Sequence, residues 1–252
     1  MKVRSLIILM VGVGVCLLGT QCASSKKKEL TAKEYYQIAS KYLARKEYLK
    51  ATESFQALIS NYPGSEWVDD GQYGLAESYF CSLDYVNALF EYKRIVDDFS
   101  MSPLVEKAQF KIAMCYFKQS LDAVRDQENT LQAAQAFVAF LEEYPDSPLA
   151  KEAQEKYAAS RTKLAEKEYR NGELYLKMGQ YEAALLYFGE VLDTFGDTLW
   201  VPHARYGIGC ALLKQGEREG ARQAFGQVVG SGTDERLIKK AKKKLKEMEK
   251  GG

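Results

Sequence analysis

Very little in this chain is equipped for covalent chemistry. It has one histidine, His203, near the start of a helical stretch, and a lone helical histidine reads as structural or solvated. No nucleophile elbow, phosphate loop, HExxH or dinucleotide fingerprint is present. Acidic pairs such as Asp69-Asp70 and Glu142-Glu143 fall on helix faces or ends, where solvated charge is the ordinary explanation. Cys81, Cys115 and Cys210 lie in apolar segments without CxxC or zinc-type spacing, and read as buried free thiols. No catalytic residue, metal or cofactor is expected.

What does recur is the aromatic side chain. Tyr36, Tyr73, Phe110, Tyr169 and Tyr206 form one series, and Leu43, Phe80, Phe117, Leu176 and Leu213 follow it seven positions later. Rings repeated along one face would grip an extended peptide through its apolar side chains. The same rings would also serve to pack adjacent helices together, and the spacing is compatible with both uses. Tyr36, Tyr73, Phe80, Phe110 and Phe117 are the candidates for a peptide groove. Lys33, Lys107 and Asp70 would supply polar contacts beside it.

The elements that carry these rings repeat too. Tyr48, Ala51, Phe55 and Leu58 share one helical face, and Pro63 and Ser65 stop that helix and start the next. The grammar returns at Tyr85–Ala88–Tyr92–Ile95, at Thr130–Ala133–Phe137–Phe140, at Tyr181–Ala184–Phe188–Val191 and at Arg218–Ala221–Phe225–Val228. Aligned on Tyr42, Tyr79, Tyr116, Tyr175 and Leu212, the copies step by about 37, 37, 59 and 37 residues. One helical hairpin cannot bury its apolar face alone, whereas stacked hairpins can. The pattern resembles the tetratricopeptide repeat. It has the small residue at the eighth position (Ala39, Ala76, Ala113, Gly172, Gly209), and a turn glycine at Gly179 and Gly216 but not in the first three copies. The expected fold is all-α: an α-solenoid of five tetratricopeptide-like hairpins, a long spacer helix after the third, and a C-terminal capping helix.

Composition agrees. Of 252 residues 46% are apolar, and the net charge of +1 gives no bulk argument for a nucleic-acid partner. The lysines nevertheless cluster at 26–28 and 239–250. Lys2 and Arg4 precede a short apolar run from Leu6 to Leu18, which reads as a secretory leader over 1–21. The junction around Cys22 resembles that of bacterial lipoproteins, which implies lipidation of Cys22 and a tether over 22–30; a plain cleaved leader or an uncleaved anchor are the alternatives. Repeats one to three then occupy 31–147. A polar extension at 122–129 lies inside repeat three. A spacer helix over 148–161 runs as one long helix, or two nearly fused, into repeats four and five at 162–232, and a basic helix closes the chain at 233–252. Ser102-Pro103 and Ser147-Pro148 read as a cap residue followed by proline at the first helical position.

The order of parts resembles the BamD family of outer-membrane assembly lipoproteins. The most specific stretches are RDQENTLQAAQAFVAFLEEYPDSP (125–148) and KLAEKEYRNGELYLKMGQYEAALLYF (163–188). The resemblance implies a non-enzymatic lipoprotein on the periplasmic face of the outer membrane of a diderm bacterium. Its implied partners are a barrel-type assembly protein with periplasmic domains, unfolded outer-membrane proteins, and the membrane through the lipid anchor. It also implies that the C-terminal half, with Tyr169 and Tyr206, meets the barrel component. The alternative is a soluble periplasmic repeat scaffold of the Tol-Pal, cell-division type.

Overall fold

The computed structural model describes residues 29–231 and 234–250. The expected leader, Cys22, the Lys26–Lys28 run and most of the tether lie outside the described residues. The helical unit begins at Ala32. It contains α1 (Ala32–Ala44), α2 (Tyr48–Asn61), α3 (Val68–Cys81), α4 (Tyr85–Asp98), α5 (Val105–Gln119), α6 (Glu128–Glu143), α7 (Ala150–Lys177), α8 (Tyr181–Thr194), α9 (Val201–Gln215), α10 (Arg218–Ser231) and α11 (Glu235–Lys250). There is no strand among the described residues. Helices pair as successive hairpins, each packing on the next, which is the α-solenoid expected from the repeats. Most first helices approach their successors (α1 with α3, α5 with α7, α7 with α9) more closely than second helices approach one another. The first helices are therefore the closely spaced layer.

Each hairpin buries a ring from its second helix. Phe55, Tyr92, Phe137, Phe188 and Phe225 are all fully buried, and small residues of the first helices make the room. Phe188 is enclosed from two repeats: a Cβ on Gly172 of the same repeat would come within 2.6 Å of the ring, and one on Gly207 of the next within 2.5 Å. Alanine at the eighth position of repeats one to three (Ala39, Ala76, Ala113) is likewise fully buried.

The turn inside the hairpin follows one hydrogen-bond pattern. The N–H groups of Glu47, Asp84, Gln180 and Glu217 donate to the carbonyls of Tyr42, Tyr79, Tyr175 and Leu212, five residues back. That closure needs a left-handed residue just before the donor. Gly179 (φ 77°) and Gly216 (φ 88°) fill the position in repeats four and five, while Lys46 (φ 61°) and Leu83 (φ 68°) fill it in repeats one and two. The geometry is thus kept without the glycine. In repeat three the chain instead leaves α5 extended at Ser120 (φ −67°, ψ 130°). The extension that follows lies back on α7: Lys163 Nζ donates to Ser120 Oγ at 2.5 Å, and Lys167 Nζ to the Val124 carbonyl at 3.3 Å.

The corners between repeats depart from the expected capping. α5 and α7 start at Val105 and Ala150, two residues beyond Pro103 and Pro148. The prolines occupy a turn, in which Ser102 Oγ and Ser147 Oγ accept from the N–H groups of Leu104 and Leu149. The same hydroxyls donate to Asp69 (2.6 Å) and Glu106 (2.5 Å) at the start of their own repeat's first helix. Each serine thereby closes its repeat and begins the next.

α7 runs for 28 residues without a break, so the expected spacer and the first helix of repeat four are one element. Its first part packs through Ala153 onto Phe137 and Phe140, and its second through Ala165 onto Phe188. Arg161, between the two, reaches the α8–α9 corner. It bonds Asp197 through two nitrogens and the Thr194 carbonyl at 2.6 Å, and lies over the Tyr157 and Phe195 rings.

Two outcomes follow. Leu83 is 70% exposed and held left-handed, so Leu83→Gly is expected to stabilise the protein by about 1 kcal/mol in urea denaturation, because the backbone strain exceeds the entropy that glycine adds. The Arg161 guanidinium holds the Asp197 carboxyl below its ordinary range. A depressed carboxylate stabilises above its unfolded pKa and loses that contribution as pH falls through the folded one. Asp197→Asn is therefore expected to lower stability at neutral pH, by less than about 1 kcal/mol for so exposed a pair. Urea midpoints measured down the pH scale should show the deficit vanishing once the wild-type carboxyl is protonated.

Candidate peptide-binding groove

α3 and α5 meet less extensively than the other adjacent first helices do. The space between them and the start of α7 is a cavity of about 470 Å³. Tyr73 and Phe80 of α3, and Phe110 and Met114 of α5, form its walls; Pro103, Pro148 and Leu149 close it from the two corners. Its charged lining is Glu106, Lys107, Lys111 and Glu152. The corners reach it because the Ser102 and Ser147 bonds pull them onto the starts of α3 and α5.

The polar groups divide by role. Lys111 Nζ sits 4.4 Å from the Phe80 ring centroid and 2.7 Å from Glu77, and Glu77 also accepts from the Tyr92 hydroxyl. Burial raises the Tyr73 and Tyr92 phenols, and the Glu77 carboxylate raises them further, so both stay protonated hydrogen-bond donors. Lys107 is exposed and makes no ion pair or hydrogen bond among the described residues. It is thus a cation free to meet a ligand. Burial pushes the Asp70 carboxyl up, with Asp69 beside it. Lys33 lies over Trp67, and neither it nor Asp70 lines the cavity.

The ring series turns out to have a packing role in every repeat. Tyr36 meets Phe55, Tyr73 meets Tyr92, Phe110 meets Phe137 and Phe140, Tyr169 meets Phe188, and Tyr206 meets Phe225. Three of the groove candidates, Tyr73, Phe80 and Phe110, also line the cavity; Tyr36 and Phe117 do not. Tyr36 sits 5.0 Å from Trp67, and Phe117 lies under Lys156. In the C-terminal half Tyr169 stacks on Trp200 at 4.9 Å, with His203 edge-on to Tyr169 and tilted against Trp200. His203 also lies 3.7 Å from Asp234. No group of three or more His, Cys, Asp or Glu able to hold a metal occurs among the described residues. Cys115 is buried, its thiol pushed up to about 12 by that burial, whereas Cys81 is exposed and Cys210 half-buried, unlike the uniform burial expected.

Met114, Lys111, Leu149, Glu152 and the two prolines are lining residues that periodicity did not single out. The prolines were legible only as helix-start signals, and nothing local says that two corners 45 residues apart flank one cavity.

The family model described as "YfiO: Outer membrane lipoprotein" matches residues 28–224. A curated relative, the outer membrane protein assembly factor BamD of Caulobacter vibrioides, is 35% identical over 114 residues, which is 45% of this chain and 37% of the relative. The chain thus spans little more than a third of that relative's length. Among solved structures, the TPR2AB-domain:pHSP90 complex of yeast Sti1 aligns at 12% identity and TM-score 0.42, covering 79% of this chain and 76% of that one. A tetratricopeptide-repeat protein of Thermus thermophilus aligns at 17% identity and TM-score 0.37, covering 85% and 99%.

The Lys111–Glu77 pair is checked by Lys111→Met. Removing the cation leaves a partly buried carboxylate beside the Tyr73 and Tyr92 phenols, and stability is expected to drop by about 1–3 kcal/mol in urea denaturation.

Proposed function

The chain belongs to the YfiO family of outer membrane lipoproteins, and from that premise we propose that it is a non-enzymatic component of the machinery that assembles outer-membrane proteins. In this reading a lipid on Cys22 holds it to the periplasmic face of the outer membrane. The repeat array binds the barrel-forming core subunit of that machinery and unfolded outer-membrane protein precursors. The C-terminal half, with Tyr169 and Tyr206, is the proposed contact for the core subunit.

The observation that carries the proposal is the cavity between α3, α5 and α7. Its walls are three rings and a methionine, and an unpaired lysine stands at its rim. An unfolded precursor presents alternating apolar side chains on an extended backbone. Such a segment would lodge one ring in the cavity and place polar groups at Lys107 and Glu152.

Three measurements test this. Mass spectrometry of the mature N-terminus is expected to show an acylated Cys22. Capture from solubilised membranes is expected to bring down a barrel protein with periplasmic domains; recovery of Tol-Pal components with an unmodified N-terminus would instead establish the soluble scaffold. For the groove, Phe110 is unsuitable, being 4% exposed and part of the core. Lys107→Glu with Pro148→Glu changes two exposed rim positions. Binding of a synthetic peptide with alternating aromatic residues is expected to weaken roughly tenfold or more, with helix content and Tm unchanged. Unaltered affinity would exclude the cavity as the binding site.

A further inference from the structure

The charge of the chain is segregated. Residues 29–234 carry 22 Lys and Arg against 31 Asp and Glu, whereas α11 carries eight basic residues and three acidic ones. The family match ends at residue 224, before α11 begins.

The packing of α11 settles which of its side chains point outward. Leu237, Ala241 and Met248 are buried against Phe225 and Val228 of α10, with Leu245 beside them. Arg218, at the start of α10, donates to the Met248 carbonyl at 2.5 Å and ties down the far end. Asp234 caps the near end, accepting from the N–H groups of Arg236 and Leu237. With its rotation so fixed, Arg236, Lys239, Lys243, Lys246 and Lys250 recur at three- and four-residue steps on the opposite side, with Lys240 next to them. All six are exposed. Lys243 has a distant partner in Glu247 at 3.8 Å; the other five pair with no carboxylate among the described residues. The stripe is straight and about 21 Å long, from the helical rise.

We propose that this face of α11 lies on the surface of an anionic phospholipid bilayer, as an electrostatic contact distinct from any lipid on the N-terminus. The six side chains include no apolar anchor of the kind a protein interface needs at its centre. A charged plane asks for none: it attracts each nearby lysine, within a distance set by the ionic strength. The acidic remainder of the unit is repelled by the same surface, so α11 is the part that approaches it.

The test uses the chain from Ala23 onward, which keeps the complete helical unit with all its cores and removes both leader and lipid. Co-sedimentation is measured with vesicles of phosphatidylethanolamine and phosphatidylglycerol, and with phosphatidylcholine vesicles, at low and high salt. Binding is expected with the anionic vesicles only, and is expected to fall as salt rises. The variant K239Q/K243Q/K246Q/K250Q, which leaves the buried stripe intact, is expected to lower the partition coefficient by roughly tenfold or more, with helix content unchanged. Equal binding to both vesicle types, or a variant that binds like the parent, overturns the proposal. So does the absence of vesicle binding together with a dimer that the variant abolishes, which would place α11 on the acidic body of a second copy.

Discussion

The structure depends on a ring from each second helix fitting a hollow that only small residues leave open. Phe188 is the sharpest case, because glycines from two successive repeats face it and a Cβ on either would collide with the ring. A hairpin cannot make this hollow alone. One wall belongs to its own first helix and the other to the next, so burying the ring joins repeat to repeat. The large transfer free energy of a buried aromatic side chain is in this way shared across a boundary, which is why the array forms by stacking and α11 closes its end.

The cavity sits where that regularity lapses. In the repeats with the short turn, the five-residue closure joins first helix to second. Repeat three replaces the turn with an extension that leans on α7. Just before it, α3 and α5 meet less extensively than other first helices, and Phe80 and Lys111 line the cavity between them. The cavity is therefore made from ordinary packing rings whose far faces are left uncovered. Tyr73 and Phe110 pack within their repeats and line the cavity as well. Each buries one side against its own repeat, and the cavity uses the other.

The ion pairs have a complementary distribution. Arg161 lies on α7 between its two packing stretches and takes over at the α8–α9 corner the part that Ser102 and Ser147 play at the earlier ones. Basic charge is gathered on α11, after the last hairpin, where it does not interfere with the stacking of repeats.

The sequence alone determined the helices, their pairing and their number of repeats. Those follow from local rules: one apolar face per helix, small residues at a constant phase, and prolines or glycines where helices must stop. It also determined that α11 would be amphipathic, with Leu237, Ala241, Leu245 and Met248 on one side. Tertiary structure alone decided three other matters. It put Pro103 and Pro148, 45 residues apart, on one cavity. It let Lys46 and Leu83 take a left-handed turn that local preference assigns to glycine, since packing on both sides outweighs a strain of about 1–2 kcal/mol. And it separated Tyr73, Phe80 and Phe110 from Tyr36 and Phe117, which share their phase but not their surroundings. Periodicity fixes the direction in which a side chain leaves its helix; what it meets there depends on the distance to the next helix, and that distance is a property of the assembled array.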